Sequence, residues 1–183
     1  MINEKFLSNE SIFVTLDVDN YLAERLNQIL QAGFHTVEIN TADTKLLQKV
    51  IQEFPLLRIG AGNIITVEQL EQVYQAGVYF ATSPGFLPAI AQTASLYSIH
   101  YLPGIATLSE AMHVMNIGYT QARPYPSSLS LCTLINKCFP MLELFPAEIE
   151  WNEAEQYLSL PAVKAISILN PEKIQLNHVL ESV

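Results

Sequence analysis

The chain has 183 residues, half of them hydrophobic and 15% charged, and 18 acids against 9 lysines and arginines give it a formal charge of −9. That length and apolar fraction suit one globular domain spanning residues 1–183, and the acidic balance excludes the basic footprint that nucleic-acid binding needs. No apolar run reaches about 18 residues and no basic-then-apolar leader opens the chain, so no membrane contact is expected.

The elements follow in order. Residues 1–10 are polar and are expected to lie loosely outside the first strand. The β-branched and aromatic run 11–16 predicts strand one, and Asp17-Val18-Asp19-Asn20 supplies turn and capping residues for a helix over 21–31 that ends at Ala32-Gly33. Residues 35–40 predict strand two, in which Glu38 is the lone acid; a buried acid is costly unless a partner or substrate uses it. Asp43 caps a helix over 44–54. Strand three, over 56–59, breaks into Gly60-Ala61-Gly62-Asn63, as where backbone must approach a ligand. Thr66 and Gln69 form a capping box for a helix to Ala76-Gly77.

Strand four is predicted over 78–82 and breaks at Ser83-Pro84-Gly85. A helix over 86–96, strand five over 98–102 with its break at Pro103-Gly104, and a helix over 107–115 opened by a second capping box come next. Strand six (121–125) is proline-marked; a helix over 129–138, strand seven (141–145), a helix over 152–158, strand eight (162–169) and a helix over 171–180 complete the chain. Eight strands alternating with eight helices predict an α/β fold with a parallel sheet and right-handed crossovers. A compact (β/α)₈ TIM barrel is the first choice and a doubly wound open sheet the second.

Both architectures place chemistry at the carboxyl ends of strands. The polar or backbone-exposing residues there are Asp17, Glu38 with Asn40, Asn63, Thr82 with Ser83, Gly104, Arg123, Glu148 and Ser167. Cys132 and Cys138, six apart in one helix, fit neither a zinc knuckle nor a redox pair and read as buried thiols of a reducing cytoplasm. His35, His100, His113 and His178 share no metal-ligand spacing. Asp17 and Asp19 read as caps of helix one before they read as cation ligands.

Four motifs carry a resemblance: Val37-Glu38-Ile39-Asn40, Gly60-Ala61-Gly62-Asn63, Phe80-Ala81-Thr82-Ser83-Pro84-Gly85 and Leu102-Pro103-Gly104-Ile105-Ala106-Thr107-Leu108-Ser109-Glu110. In order and spacing they resemble the 2-keto-3-deoxy-6-phosphogluconate (KDPG)/4-hydroxy-2-oxoglutarate (KHG) aldolases, which usually show Glu-Val-Thr, Gly-Ala-Gly-Thr, Ser-Pro-Gly and Pro-Gly-Ile-Ser-Thr-x-Ser-Glu there. The resemblance implies a class I aldolase on a (β/α)₈ barrel, a homotrimer needing no cofactor and no metal, acting on pyruvate-type 2-oxo acids. In that family a strand-six lysine forms a Schiff base with pyruvate and the strand-two glutamate, here Glu38, moves protons. Candidate substrate-binding residues are Gly62, Asn63, Thr82, Pro103, Gly104 and Tyr125, the last in place of an aromatic that packs against pyruvate.

The departures are chemical. Continuing without a gap from Ser109-Glu110 puts Arg123 where the family has its lysine, and a guanidinium cannot serve as the amine of a Schiff base. A second alignment sets Leu142–Ala147 on that motif, at the expense of a long insertion, and again holds no lysine. Ala42 replaces the arginine that holds the substrate carboxylate. The phosphate-binding glycine turns fall at Ala147-Glu148-Ile149 and at Ser167. Lys164, within predicted strand eight, is a substitute amine only if it points inward. Two readings follow: an aldolase-family enzyme that keeps a reaction through Lys164 or Glu38, or a non-catalytic barrel. The second would bind a small carboxylate through Asn63 and Arg123, or serve as a partner-binding oligomer.

Overall fold

Side-chain parity along short parallel strands organises the molecule. The structure, a computed structural model, describes residues 10–173, 175 and 176. Its strands are β1 (Ile12–Leu16), β2 (Thr36–Ile39), β3 (Arg58–Ala61), β4 (Phe80–Thr82), β5 (His100–Leu102), β6 (Gly104–Ile105), β7 (Gln121–Pro124), β8 (Glu143–Leu144) and β9 (Ile166–Leu169). Six pair in the order β5-β4-β3-β2-β1-β9 and three in the order β6-β7-β8, every pair parallel. Two seams join these ladders into a ring. β5 and β6 are halves of one barrel strand, cut at Pro103, which has no N–H for the ladder; its carbonyl still accepts from Arg123 N at 2.8 Å. At the other seam Leu144 bridges Val163, with Leu144 N donating to Ala162 O at 2.8 Å and Lys164 N to Leu144 O at 2.9 Å. The result is the (β/α)₈ barrel.

The helices are α1 (Leu22–Gln31), α2 (Thr44–Glu53), α3 (Val67–Ala76), α4 (Pro88–Tyr97), α5 (Leu108–Asn116), α6 (Leu129–Cys138) and α7 (Ala154–Leu158), the last preceded by a 3₁₀ turn at Trp151–Glu153. None of the described helices is long and apolar enough to cross a membrane. Asp43 caps α2 through Lys45 N and Leu46 N, and Thr66 and Thr107 accept from Gln69 N and Glu110 N, as their capping patterns predict. The predicted helix over 171–180 falls largely outside the described residues, although Leu176 is buried in the core.

Several boundaries move, each for a local reason. α4 begins at Pro88 rather than residue 86, because Leu87, held extended before a proline, cannot be helical. β3 begins two residues later than predicted; Leu56 sits exposed in a turn and Gly60-Ala61 continue the strand. The α1 N-cap, Tyr21, makes no side-chain capping bond, but Asp19 Oδ1 accepts from Tyr21 N at 2.8 Å just ahead of the helix, whereas Asp17 bonds Asn40 and Asn170 instead. Glu10 is not loose: at the amino-terminal end of the barrel it accepts from His35 N at 2.8 Å and Arg58 Nη2 at 3.0 Å, and from the Thr36 hydroxyl. Cys132 is buried as expected, but Cys138, at the end of α6, is exposed.

Both faces of the sheet are covered, so the strands read as continuously apolar. One parity class, including Val14, Leu16, Val37, Ile39, Ile59 and Ala81, packs beneath the helices. Within the barrel, Phe13, Phe80, Leu102, Phe145 and Ala165 form a separate apolar cluster, with Phe13 edge-on to Phe80 at 6.1 Å. Gly60 is required here because a Cβ would overlap the Phe80 ring. This plug is the floor on which the polar residues of the carboxyl-terminal mouth rest.

Candidate functional site

The same inward parity that places Phe13 and Phe80 in the plug carries Thr15, Glu38, Thr82, Arg123 and Ser167 into a polar layer above it. Register sets Thr15 opposite Glu38, and Glu38 opposite Gly60. Glu38 and Arg123 meet as an ion pair between Oε2 and Nη1, with side-chain exposures of 0% and 5%. Glu38 Oε1 accepts from the Thr15 hydroxyl at 3.3 Å, and Arg123 Nη1 also donates to Thr82 Oγ1 at 2.9 Å. Burial of two opposite charges is tolerated because each is paired and hydrogen-bonded.

Among the described residues the guanidinium bonds through Nη1 alone; Nε and Nη2 take no protein partner and are not sealed from solvent. Arg123 Cζ lies 6.0 Å from the centre of the half-buried Tyr125 ring. The Tyr125 hydroxyl is pushed above its ordinary range, first by burial and then by the charge and hydrogen bonding of Glu148, while Arg123 pulls it back.

Around this layer the rim is knitted by side chains from distant parts of the chain. Asp17, past β1, accepts from Asn40 Nδ2 and Asn170 Nδ2, both at 2.9 Å. Asn170 Oδ1 accepts from Asp17 N and from Arg25 Nη1, each at 3.0 Å, and Arg25 pairs with Asp19 at 2.8 Å. Past β8, the Ala147 N–H donates to Ser127 Oγ and the Glu148 N–H to Ser167 Oγ, both at 2.9 Å. Glu148 holds φ at 56°, a left-handed conformation that glycine adopts at lower cost. Those two hydroxyls therefore occupy the backbone donors that an anion would need in this turn.

The sequence-predicted residues divide into four groups. Glu38, Thr82 and Arg123 come into direct contact, with Tyr125 beside them. Gly62 and Gly104 are close-approach positions: a Cβ on Gly62 would meet the Asn40 and Glu38 side chains, and one on Gly104 would overlap the Pro84–Gly85 backbone. Pro103 is buried at the β5–β6 break, and Asn63 is exposed with φ at 59°. Lys164 is not in the site. It is exposed, its Nζ reaches Pro161 O at 3.4 Å, and it precedes Leu169, which lies level with Thr15, by five residues. That separation is about 16 Å of extended chain toward the opposite end of the barrel. Ala42 is half-buried against the core.

Sequence reasoning missed Thr15, Asn170 and Ser127. A threonine within an apolar strand was a usable signal for Thr15, whereas Ser127 and Asn170 join the rim through partners 20, 145 and 153 residues away. Among the described residues no group of three histidine, cysteine or acidic side chains could hold a metal ion.

The profile of the KDPG and KHG aldolases matches residues 9–179. A 2-dehydro-3-deoxy-phosphogluconate aldolase of Pseudoalteromonas atlantica is 29% identical over 144 residues, 74% of this chain and 67% of that protein. Its counterpart in Treponema pallidum is 28% identical over 145 residues, covering 75% and 69%. A solved KDPG aldolase from Legionella pneumophila, with pyruvate captured at low pH as a covalent carbinolamine intermediate, is similar with a TM-score of 0.84 and 27% identity. That similarity covers 95% of this chain and 90% of the other.

Proposed function

This chain belongs to the KDPG and KHG aldolase family, and we propose that within it the protein binds a small carboxylate of the 2-oxo acid class without Schiff-base catalysis. The observation that carries this reading is the buried Glu38–Arg123 pair. A carbinolamine requires an uncharged amine to attack the keto carbon, and a guanidinium, with a pKa above about 12, does not supply one. Every described lysine is exposed. Glu38, the family's proton carrier by resemblance, has one carboxylate oxygen against Arg123 and the other on Thr15. Arg123 on β7 also supports the ungapped alignment, since β7 is the sixth strand position around the barrel and β8 the seventh.

The same arginine suits a carboxylate. Its Nε–Nη2 edge is a rigid fork matched to two carboxylate oxygens. A phosphate is disfavoured, because Glu148 stands in the turn past β8 and hydroxyls already engage the Ala147 and Glu148 N–H groups. The homotrimer implied by the resemblance belongs to the same proposal, supported by large apolar residues such as Leu56, Leu96 and Met141 that the single chain leaves exposed.

The test is pyruvate with borohydride, read by intact mass, beside a titration of pyruvate followed by NMR. Wild-type protein is expected to gain no covalent mass yet to show saturable shifts, which Arg123→Ala abolishes. Arg123→Lys restores an amine beside Glu38 and is expected to trap pyruvate while cleaving phosphorylated substrates poorly. A borohydride adduct on any wild-type lysine would overturn the loss of Schiff-base chemistry, and absence of pyruvate shifts would overturn the binding role.

A further inference from the structure

Resting on the reading of the mouth as a small-carboxylate site, we propose that Thr82 is the positioning residue of that site. Its buried hydroxyl fixes the guanidinium plane of Arg123 and so sets the affinity for the ligand's carboxylate. Each terminal nitrogen of a guanidinium carries two hydrogens in the plane of the group. Arg123 Nη1 meets two acceptors, the Glu38 carboxylate through Oε2 and Thr82 Oγ1 at 2.9 Å. One contact would leave the planar group free to swing about it, whereas two hold its plane. With both Nη1 hydrogens engaged by the barrel wall, the fork that recognises a carboxylate is Nε with Nη2.

The two acceptors are themselves held. They come from β2 and β4, which flank β3 in the sheet, so Nη1 spans the strand between them. That strand carries Gly60 opposite Glu38, with Gly62 two residues on, and sends no side chain between them. Glu38 is braced from β1 by the Thr15 hydroxyl at 3.3 Å. Thr82 closes β4, where its carbonyl accepts from Ile64 N at 3.0 Å and the next N–H, of Ser83, reaches Leu102 O at 3.2 Å. The Ser83 hydroxyl donates to Ile64 O and accepts from Tyr101 at 2.8 Å, which ties the strand end on both sides. Thr82 is 1% exposed, so water does not compete with its hydroxyl for the guanidinium. A substrate contact by its sequence, Thr82 therefore acts on the ligand through Arg123.

The test compares full-length wild type, Thr82→Val and Thr82→Ser, each carrying isotope-labelled arginine, by NMR with and without pyruvate. The Arg123 signals are assigned by their loss in Arg123→Lys. A guanidinium held through both Nη1 hydrogens turns slowly about its C–N bonds and shows separate Nη signals, whereas a released one averages them. Before any ligand is added, wild type and Thr82→Ser should show separate Nη signals and Thr82→Val averaged ones. Thr82→Val is expected to weaken pyruvate binding about tenfold, and Thr82→Ser to stay within about twofold of wild type. Averaged signals in the wild type, or a valine variant with unchanged Arg123 signals, would overturn the positioning role, even if affinity fell through a direct contact. A serine variant as weak as the valine one would also overturn it, because the hydroxyl would not be the cause. Absence of pyruvate shifts in the wild type would overturn the carboxylate reading and the effect on affinity with it, whereas the ligand-free Nη signals judge the positioning by themselves.

Discussion

Replacing Arg123 with methionine keeps most of the side-chain length and removes the cation in contact with Glu38. Glu38 is fully buried and Arg123 nearly so, so the stranded carboxylate has no ready access to water. Removing one partner of a buried pair costs about 3–5 kcal/mol, most of it the penalty on the charge left behind. Thr82 also loses its 2.9 Å bond, worth about 1 kcal/mol. We expect Arg123→Met to lower unfolding stability by about 4 kcal/mol, a large share of the 5–15 kcal/mol that holds a typical domain folded.

Adding Glu38→Leu removes the stranded charge. What remains is two buried hydroxyls, Thr15 and Thr82, short of a partner at about 1 kcal/mol each, set against relief from desolvating two ions. The double variant should return to within about 2 kcal/mol of wild type. Urea melts of the wild type, both single variants and the double, followed by circular dichroism and by the fluorescence of Trp151, complete the cycle. A single substitution costing under about 1 kcal/mol, or a double no more stable than Arg123→Met, would refute the closed, desolvated pair.

Gly60→Ala drives a methyl into the Phe80 ring, itself braced by Phe13, and is expected to cost about 1–3 kcal/mol in urea melts, with Phe80→Leu in the same chain recovering part of the loss. The two thiols should separate by reactivity: iodoacetamide at pH 8 is expected to label Cys138 alone in the folded chain and both cysteines in urea, as read by peptide mass. Burial pushes the Cys132 thiol up to about 12, whereas in the unfolded chain it ionises near about 8.5. The folded state therefore holds this proton more tightly, and stability falls as pH rises from the unfolded value toward the folded one. Cys132→Ala should remove that component in melts at pH 7 and pH 9.5, and an unchanged slope would refute the assignment.

Residues of the motifs that bear the family resemblance are also demanded by packing, independently of any reaction. Gly60 accommodates Phe80, Gly62 lies against Glu38 and Asn40, and Gly104 lies against the Pro84–Gly85 backbone. Ser83 donates to Ile64 O and accepts from Tyr101, tying the loops past β3 and β4 to β5. These contacts belong to the barrel and need no substrate. The positions that differ from the family pattern, Arg123 and Glu148 above all, are the side chains on which the proposed reading of the mouth rests.

The alternation of strands and helices was readable from residue order because it rests on local physics. β-Branched runs, capping residues such as Asp43 and Thr66, and glycines at helix ends act within one turn or one strand. Parity along a strand likewise places Glu38 and Arg123 on one face once both strands are recognised, and the family motifs supply the ring. Whether Lys164 pointed inward, whether Asp17 capped a helix or clasped the rim, and whether Glu38 stood free or paired were not local questions. They depend on side chains 85 and 153 residues apart, Glu38 with Arg123 and Asp17 with Asn170. Only closure of the barrel brings such groups within hydrogen-bond reach. A charged residue on an inward face is compatible with an open reaction centre or a locked ion pair, and the distance between the two charges decides which.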